Sequence, residues 1–218
     1  MSVPIENFLK AVYQKQYDDQ EKAISSKLAL ELRVSNAAIT DMAKKLHQSN
    51  LINYKKYNEI KLTEYGKKIA LKVIRKHRLW ELFLFKVLNL SERDIHIEAE
   101  LLEHQTTDYL INRIDEYLGN PKFDPHGDPI PDINFNMPDM QDINPLIQCQ
   151  ENKTYKIARL IHRSGELSTF FRENNLKLEQ ELTIDKILAE NQIVILKYQG
   201  KTLVLNDKHS RFIYVSEK

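Results

Sequence analysis

The sequence predicts a multi-domain protein, mainly α-helical with a small β domain at its C-terminal end. Three observations carry that expectation. Residues 1–63 read as short helices followed by a β-ribbon, 64–118 as longer amphipathic helices, and 144–218 as short alternating strands. Six of the chain's seven prolines fall within 121–145, which marks a linker. The expected domains are therefore 1–63, 64–143 (with the Pro-rich linker from about 120) and 144–218. A chain of 218 residues suits two or three small domains.

Residues 5–17 place Ile5, Leu9, Val12 and Tyr13 on one helical face. Ser25 or Ser26 is positioned to cap a short helix ending near Arg33. Ser35 then stands at the N-cap of a helix whose buried stripe is Ile39, Met42, Ala43 and Leu46. The opposite face carries Asn36, Ala37, Thr40, Asp41, Lys44 and Gln48. Two short helices joined by a tight turn, the second presenting small, polar and basic groups, read as a helix-turn-helix. The segment LINYKKYNEIKLT adds two β-prone stretches around a basic tip at Lys55 and Lys56, the wing of a winged helix. An ordinary helical hairpin with a β-ribbon would show the same pattern without the charge. Residues 44–78 hold 11 basic side chains against 2 acidic, which favours a polyanion-binding face. On that face Ser35, Asn36, Ala37, Ala38, Thr40 and Asp41 are candidate DNA-binding residues, Ala37, Ala38, Thr40 and Asp41 placed to meet base edges, and Lys44, Lys55 and Lys56 to meet phosphates.

Thr63 is the expected cap of a long helix over 64–88, densely apolar in its second half at Leu79, Trp80, Leu82, Phe83, Leu84, Phe85 and Val87. A helix apolar on so many sides needs cover from a second subunit, so a homodimer built on 64–118 is expected. Two more helices follow, DIHIEAELLEHQ and TTDYLINRIDEYL, the second capped by Thr106 or Thr107 and stopped at Gly119. Beyond the linker, YKIARLI, ELTIDKI, IVILKY, TLVLN and FIYV read as strands, GELSTFFREN as one helix and Gln199-Gly200 as a hairpin turn, together a small β-barrel.

The overall net charge of +1 conceals a segregation. Residues 1–80 carry 16 basic and 8 acidic side chains, 81–143 carry 4 and 14, and 144–218 carry 12 and 9. A basic block beside an acidic one suits a polyanion surface next to a cation-binding region. In the acidic block Glu100, Glu103 and His104 stand at i, i+3 and i+4. His77 and Glu81 stand at i, i+4, and His96 is placed to complete a second cluster. Mixed carboxylate and imidazole donors suit Mn²⁺, Fe²⁺ or Zn²⁺. A solvated, charge-paired helix face is the alternative. His126 in DPHGDP reads as a linker residue. The lone Cys149 cannot form an internal disulfide, which fits a reducing interior. No apolar run is long enough to span a bilayer and MSVPIENFLK lacks signal-peptide character, so a cytoplasmic protein without membrane attachment is expected.

The motifs RKHRLWELFL, HIEAELLEH and LGNPKFDPHGDPIP, following a winged helix that ends LTEYGKKIA, resemble the diphtheria toxin repressor family of metal-dependent regulators. The resemblance covers essentially the whole chain and implies an SH3-like (FeoA-like) C-terminal barrel. It further implies a homodimeric repressor that binds a palindromic operator upstream of metal-uptake genes when loaded with metal. Carried onto this chain, the primary site is Glu100, Glu103 and His104 with Asn7 from the first helix. The second site is His77, Glu81 and His96 with Glu166 from the C-terminal domain. Manganese-responsive members resemble this chain in having Glu at the place of Glu100, where iron-responsive members have Cys, so Mn²⁺ is the expected cofactor and Fe²⁺ the alternative. Lys10 stands where the two-metal subtype has Glu, which argues against a closely spaced metal pair. A metal-dependent hydrolase is the competing class, as is a storage or delivery module. No HExxH, Gly-rich phosphate loop or G-x-S-x-G is present in the sequence, and no enzyme or small-molecule substrate is expected.

Overall fold

The computed structural model describes residues 1–55, 58–140, 142–162 and 165–217, with the Glu92 side chain excepted. The chain divides into two compact units, one of residues 1–122 and 130–138, the other of 123–129 and 139–218.

In the first unit, α1 (Val3–Tyr13) starts with Pro4 in its first turn, where a missing N–H costs nothing, and runs into a π-helical turn over Gln14–Asp18. Helix α2 (Ser25–Glu31) begins one to two residues earlier than expected. Its N-cap is Ile24, with no side-chain cap from either serine. Helix α3 (Asn36–Gln48) has the expected cap, the Ser35 hydroxyl accepting from the Ala38 N–H at 3.1 Å. Strands β1 (Ile52–Asn53) and β2 (Lys61–Leu62) pair antiparallel as the base of the wing. Lys56, expected from the sequence at the wing's tip, lies outside the described residues.

Thr63 caps α4 (Glu64–Lys86) by accepting from the Gly66 N–H, while its own hydroxyl reaches the Asn50 and Leu51 carbonyls. Gly66 has to be glycine: a Cβ there would stand 2.0 Å from the Leu51 carbonyl oxygen. Phe8, Leu9, Val12, Leu28, Ile39, Ala43, Leu46, Ile52, Ile60 and Ile74 join in one core, so α4 is welded to the winged helix at its N-terminal end. Met42 packs at the rim of that core, half-buried. Helix α5 (Glu92–Leu102), capped by Ser91, lies on α4 through Leu84, Ile95 and Ala99. It stops at Leu102, so Glu103 is its C-cap and His104 belongs to the following turn. Helix α6 (Asp108–Tyr117) is capped by Thr107. Thr106 instead accepts from the Trp80 indole N–H at 2.7 Å. Leu84 is buried within the single chain, and the apolar surface left over on these helices includes Phe85, Val87, Leu88, Ile97, Leu101, Tyr109, Leu110 and Tyr117.

The second unit is an open six-stranded antiparallel sheet, in order β3-β8-β4-β5-β6-β7, rather than the expected closed barrel. Its strands are β3 (Ile143–Pro145), β4 (Thr154–Leu160), β5 (Glu181–Leu188), β6 (Ile193–Tyr198), β7 (Lys201–Leu205) and β8 (Ile213–Glu217). Helix α7 (Gly165–Glu173) packs Leu167 and Phe171 into the sheet's core, and a short α8 (Asp207–Ser210) precedes β8. The DPHGDP segment docks on β4. Asp124 accepts from the His126 and Asp128 N–H groups, and the Leu160 N–H reaches the His126 carbonyl. At Gly127 φ is +82°, and a Cβ would meet the Ala158 carbonyl oxygen at 2.2 Å.

Candidate metal centre and nucleic-acid face

Three helices build a polar cluster inside the first unit. Helix α1 turns its apolar side (Phe8, Leu9, Val12) to the core, which leaves Glu6, Asn7 and Lys10 on another face. Helix α4 supplies His77 and Glu81, one turn apart, and α5 with its C-cap supplies His96, Glu100 and Glu103, followed by His104.

Among the described residues, two groups of three His, Cys, Asp or Glu side chains have donor atoms within 4.8 Å of one another. One is His77, Glu81 and His96, the second cluster read from the sequence. The other is His77, Glu100 and Glu103, so His77 serves both. Its Nδ1 lies 2.6 Å from Glu103 and its Nε2 lies 3.2 Å from Glu81, whose Oε1 is 3.1 Å from His96 Nδ1. The Lys10 ammonium stands among these groups, 2.8 Å from Glu100 Oε2, 2.9 and 2.8 Å from the two Glu103 oxygens and 3.4 Å from His77 Nδ1.

Burial makes the charge balance strict. Burial alone would lower the His77 pKa, but Glu81 and Glu103 outweigh it and, against the opposing Lys10 charge, raise it to about 9. Burial would likewise lower Lys10 and raise Glu103; each wins the other's charge back, so Lys10 ends above and Glu103 below its ordinary value.

His104 stands apart from both triads. Its Nδ1 is 2.6 Å from Glu6 Oε2. With the Nδ1 proton donated to that carboxylate, Nε2 carries a lone pair, the tautomer a metal-ligating histidine needs. That Nε2 is buried without a hydrogen-bond partner, 3.2 Å from Glu103 Oε1. Asn7 Oδ1 is also buried and unpartnered. An orphaned His104 Nε2 beside the buried Glu103 carboxylate, and an orphaned Asn7 Oδ1 on α1, are donor types that fit a divalent cation. Sequence reasoning missed Glu6, whose partner is 98 residues away. Glu166 is exposed in the first turn of α7, in the second unit. Cys149 takes no part: its thiol donates to the Pro145 carbonyl, and burial pushes its pKa up to about 11.

On α3, Asn36, Ala37, Ala38, Asp41 and Lys44 are exposed with the capping Ser35, while Thr40 is half-buried and donates to the Asn36 carbonyl. Lys44 and Asp41 form a loose 3.5 Å pair in water, and Lys55 is exposed beside the wing. The exposed side of α3 is therefore polar and unobstructed within its unit, as a groove-reading helix requires.

Comparison with known proteins bears on both regions. Residues 1–60 match the iron dependent repressor N-terminal DNA binding domain, and 63–132 the iron dependent repressor metal binding and dimerisation domain. A helix-turn-helix transcriptional regulator of Methanocaldococcus jannaschii is 35% identical over 118 residues, spanning 54% of this chain and 94% of that relative. The iron-dependent repressor IdeR of Mycobacterium tuberculosis is 30% identical over 120 residues, and the chain spans about half, 52%, of its length. The structure of the manganese regulator SloR superposes with a TM-score of 0.88 at 30% identity, covering 100% of both chains. Members of this family are repressors rather than enzymes. The chain belongs to the iron-dependent, or diphtheria toxin, repressor family of metal-dependent DNA-binding transcriptional repressors.

Proposed function

We propose that this repressor responds to manganese and, as a cytoplasmic homodimer, controls metal-uptake genes by binding a palindromic operator. The observation that carries the reading is the kind of donor left open: the His104 imidazole nitrogen beside the Glu103 carboxylate and the unpartnered Asn7 amide oxygen, with no thiolate. Oxygen and imidazole donors without sulfur suit Mn²⁺. When bound, the cation supplies positive charge that neutralises these carboxylates and draws their donors together. Asn7 comes from the first helix of the winged-helix domain, assigned to 1–63, whereas Glu100, Glu103 and His104 come from the helical domain, assigned to 64–143. Residues 144–218 form the C-terminal domain, and His77, Glu81 and His96 make up a second site. Glu6 orients His104, and the winged helix presents α3, Lys44, Lys55 and Lys56 to DNA. The apolar row from Phe85 to Tyr117 provides the dimer face.

Iron is the second reading, favoured by the iron-dependent repressors among the relatives. Anaerobic titration of operator binding with Mn²⁺ and Fe²⁺ tests both. His104→Ala should abolish metal-dependent binding and leave the dimer intact in sedimentation. Glu100→Cys should move the response toward Fe²⁺, and Asn7→Asp should raise metal affinity by adding a formal charge. Unchanged Mn²⁺-dependent binding in His104→Ala would place the sensing metal at His77, Glu81 and His96 instead.

A further inference from the structure

The His77, Glu100 and Glu103 triad has the composition of a cation site, and a cation already stands in it. Lys10 Nζ lies 2.8–2.9 Å from three carboxylate oxygens, one of Glu100 and both of Glu103. An ammonium has three N–H donors, and three acceptors are within hydrogen-bond distance of it. Its remaining close neighbour is His77 Nδ1 at 3.4 Å. Only 7% of Lys10 and 1% of Glu103 is exposed, so neither charge has water to fall back on. The lysine stem comes from α1, and the carboxylates from α5 and its C-cap, 90 and 93 residues along the chain.

We infer that Lys10 is a resident, covalently tethered cation, which keeps metal out of the His77–Glu100–Glu103 triad and ties α1 to α4 and α5 before any metal arrives. A divalent ion cannot take a place between Glu100 Oε2, Glu103 and His77 while the ammonium stands there, because two cations so close repel strongly. Ejecting Lys10 would leave a buried ammonium without acceptors. The metal response therefore rests on donors that Lys10 leaves open, Glu100 Oε1, Asn7 Oδ1 and His104 Nε2 among them, with Glu103 met on its side toward His104, and the triad adds no second ion of its own. The metal arm of this inference rests on the metal-repressor reading above; the tether does not.

Two measurements separate them. The first is Mn²⁺ stoichiometry by elemental analysis of desalted protein. Lys10→Met, which keeps the stem and removes the charge, should bind one more Mn²⁺ per chain than the wild type. It should also melt lower in chelator and gain more from Mn²⁺. The same stoichiometry in both proteins would overturn the inference. The second uses the wild type alone, so it survives a variant that fails to fold. Lysine acetylation read by mass spectrometry should find Lys10 protected in chelator and still protected in saturating Mn²⁺, while Lys44 and Lys55 label freely. Lys10 labelling as fast as those two, or becoming exposed on adding Mn²⁺, would overturn it. Wild-type protein that binds neither Mn²⁺ nor Fe²⁺, yet keeps Lys10 protected, would sink the metal-repressor reading and leave the tether standing.

Discussion

The cluster between α1, α4 and α5 and the exposed face of α3 use the same residue types under opposite conditions. Lys10, His77, Glu81 and Glu103 are each at most 7% exposed. The Asp41 and Lys44 side chains are 69% and 62% exposed, and their 3.5 Å pairing is screened by water. Inside, each charge is held in place by its neighbours, so removing one strands the others. Outside, each charge is its own affair, and it acts mainly on what approaches. The difference predicts large, coupled effects in the first region and small, additive ones in the second.

The largest expected effect tests the coupling directly. Glu103→Ala leaves both Lys10 and His77 buried without their shared acceptor, and in chelator it should cost on the order of 3–5 kcal/mol in urea unfolding. A loss below about 1 kcal/mol would mean that the cluster is wet and resembles the α3 face after all.

Next is the pH dependence of stability in chelator. His77 holds its proton in the folded state to about pH 9, against an ordinary 6.5. Between those values the unfolded chain has lost a proton that the folded chain keeps. Stability should therefore be full below pH 6.5 and fall through pH 9, by on the order of 3 kcal/mol. Melting temperatures from pH 6 to 9.5 measure it, and the slope should flatten in His77→Gln.

On α3 the scale drops. Ser35→Ala removes the acceptor for the Ala38 N–H and should cost about 1 kcal/mol. Smallest in stability is Lys44→Ala with Lys55→Ala, within about 0.5 kcal/mol. Its effect belongs to DNA: affinity should fall alike for all sequences, and the salt slope should flatten by about one unit per lost contact. A changed sequence preference at constant salt slope would make these base-reading side chains.

The two regions were also unequally legible in the sequence. The face of α3 follows from helical period and a capping serine, both local, and the structure keeps Ile39, Ala43 and Leu46 buried with the polar residues opposite. The spacing of His77, Glu81, Glu100 and Glu103 flagged the cluster, but not that His77 would bridge both groups or that Lys10 would stand among them. Those contacts join positions 26 to 93 residues apart, and no period encodes them. Glu6 carried no signal of its own: it is an acid in the first turn of α1. In the second unit, alternation revealed the strands but not whether their ends would meet. The sheet stays open, with register shifts in β4 and β5, and its edge strand β3 is three residues long and ends in Pro145. Proline and asparagine hide such a strand from a propensity reading.

The path of the chain between the units has a consequence for recombination. Residues 123–129 pack with the sheet, yet 130–138 return to the helical unit, where Ile130 joins Leu79, Leu82, Ile111 and Ile114, and Phe135 and Met137 meet the winged-helix core. A single crossover after 122 would carry those core residues away with the wrong half, and one after 138 would leave DPHGDP behind without β4 to dock on. The two units are interleaved along the chain: neither is a contiguous stretch of gene, so exchanging one between relatives takes three joins, or partners that already share the LGNPKFDPHGDPIP segment.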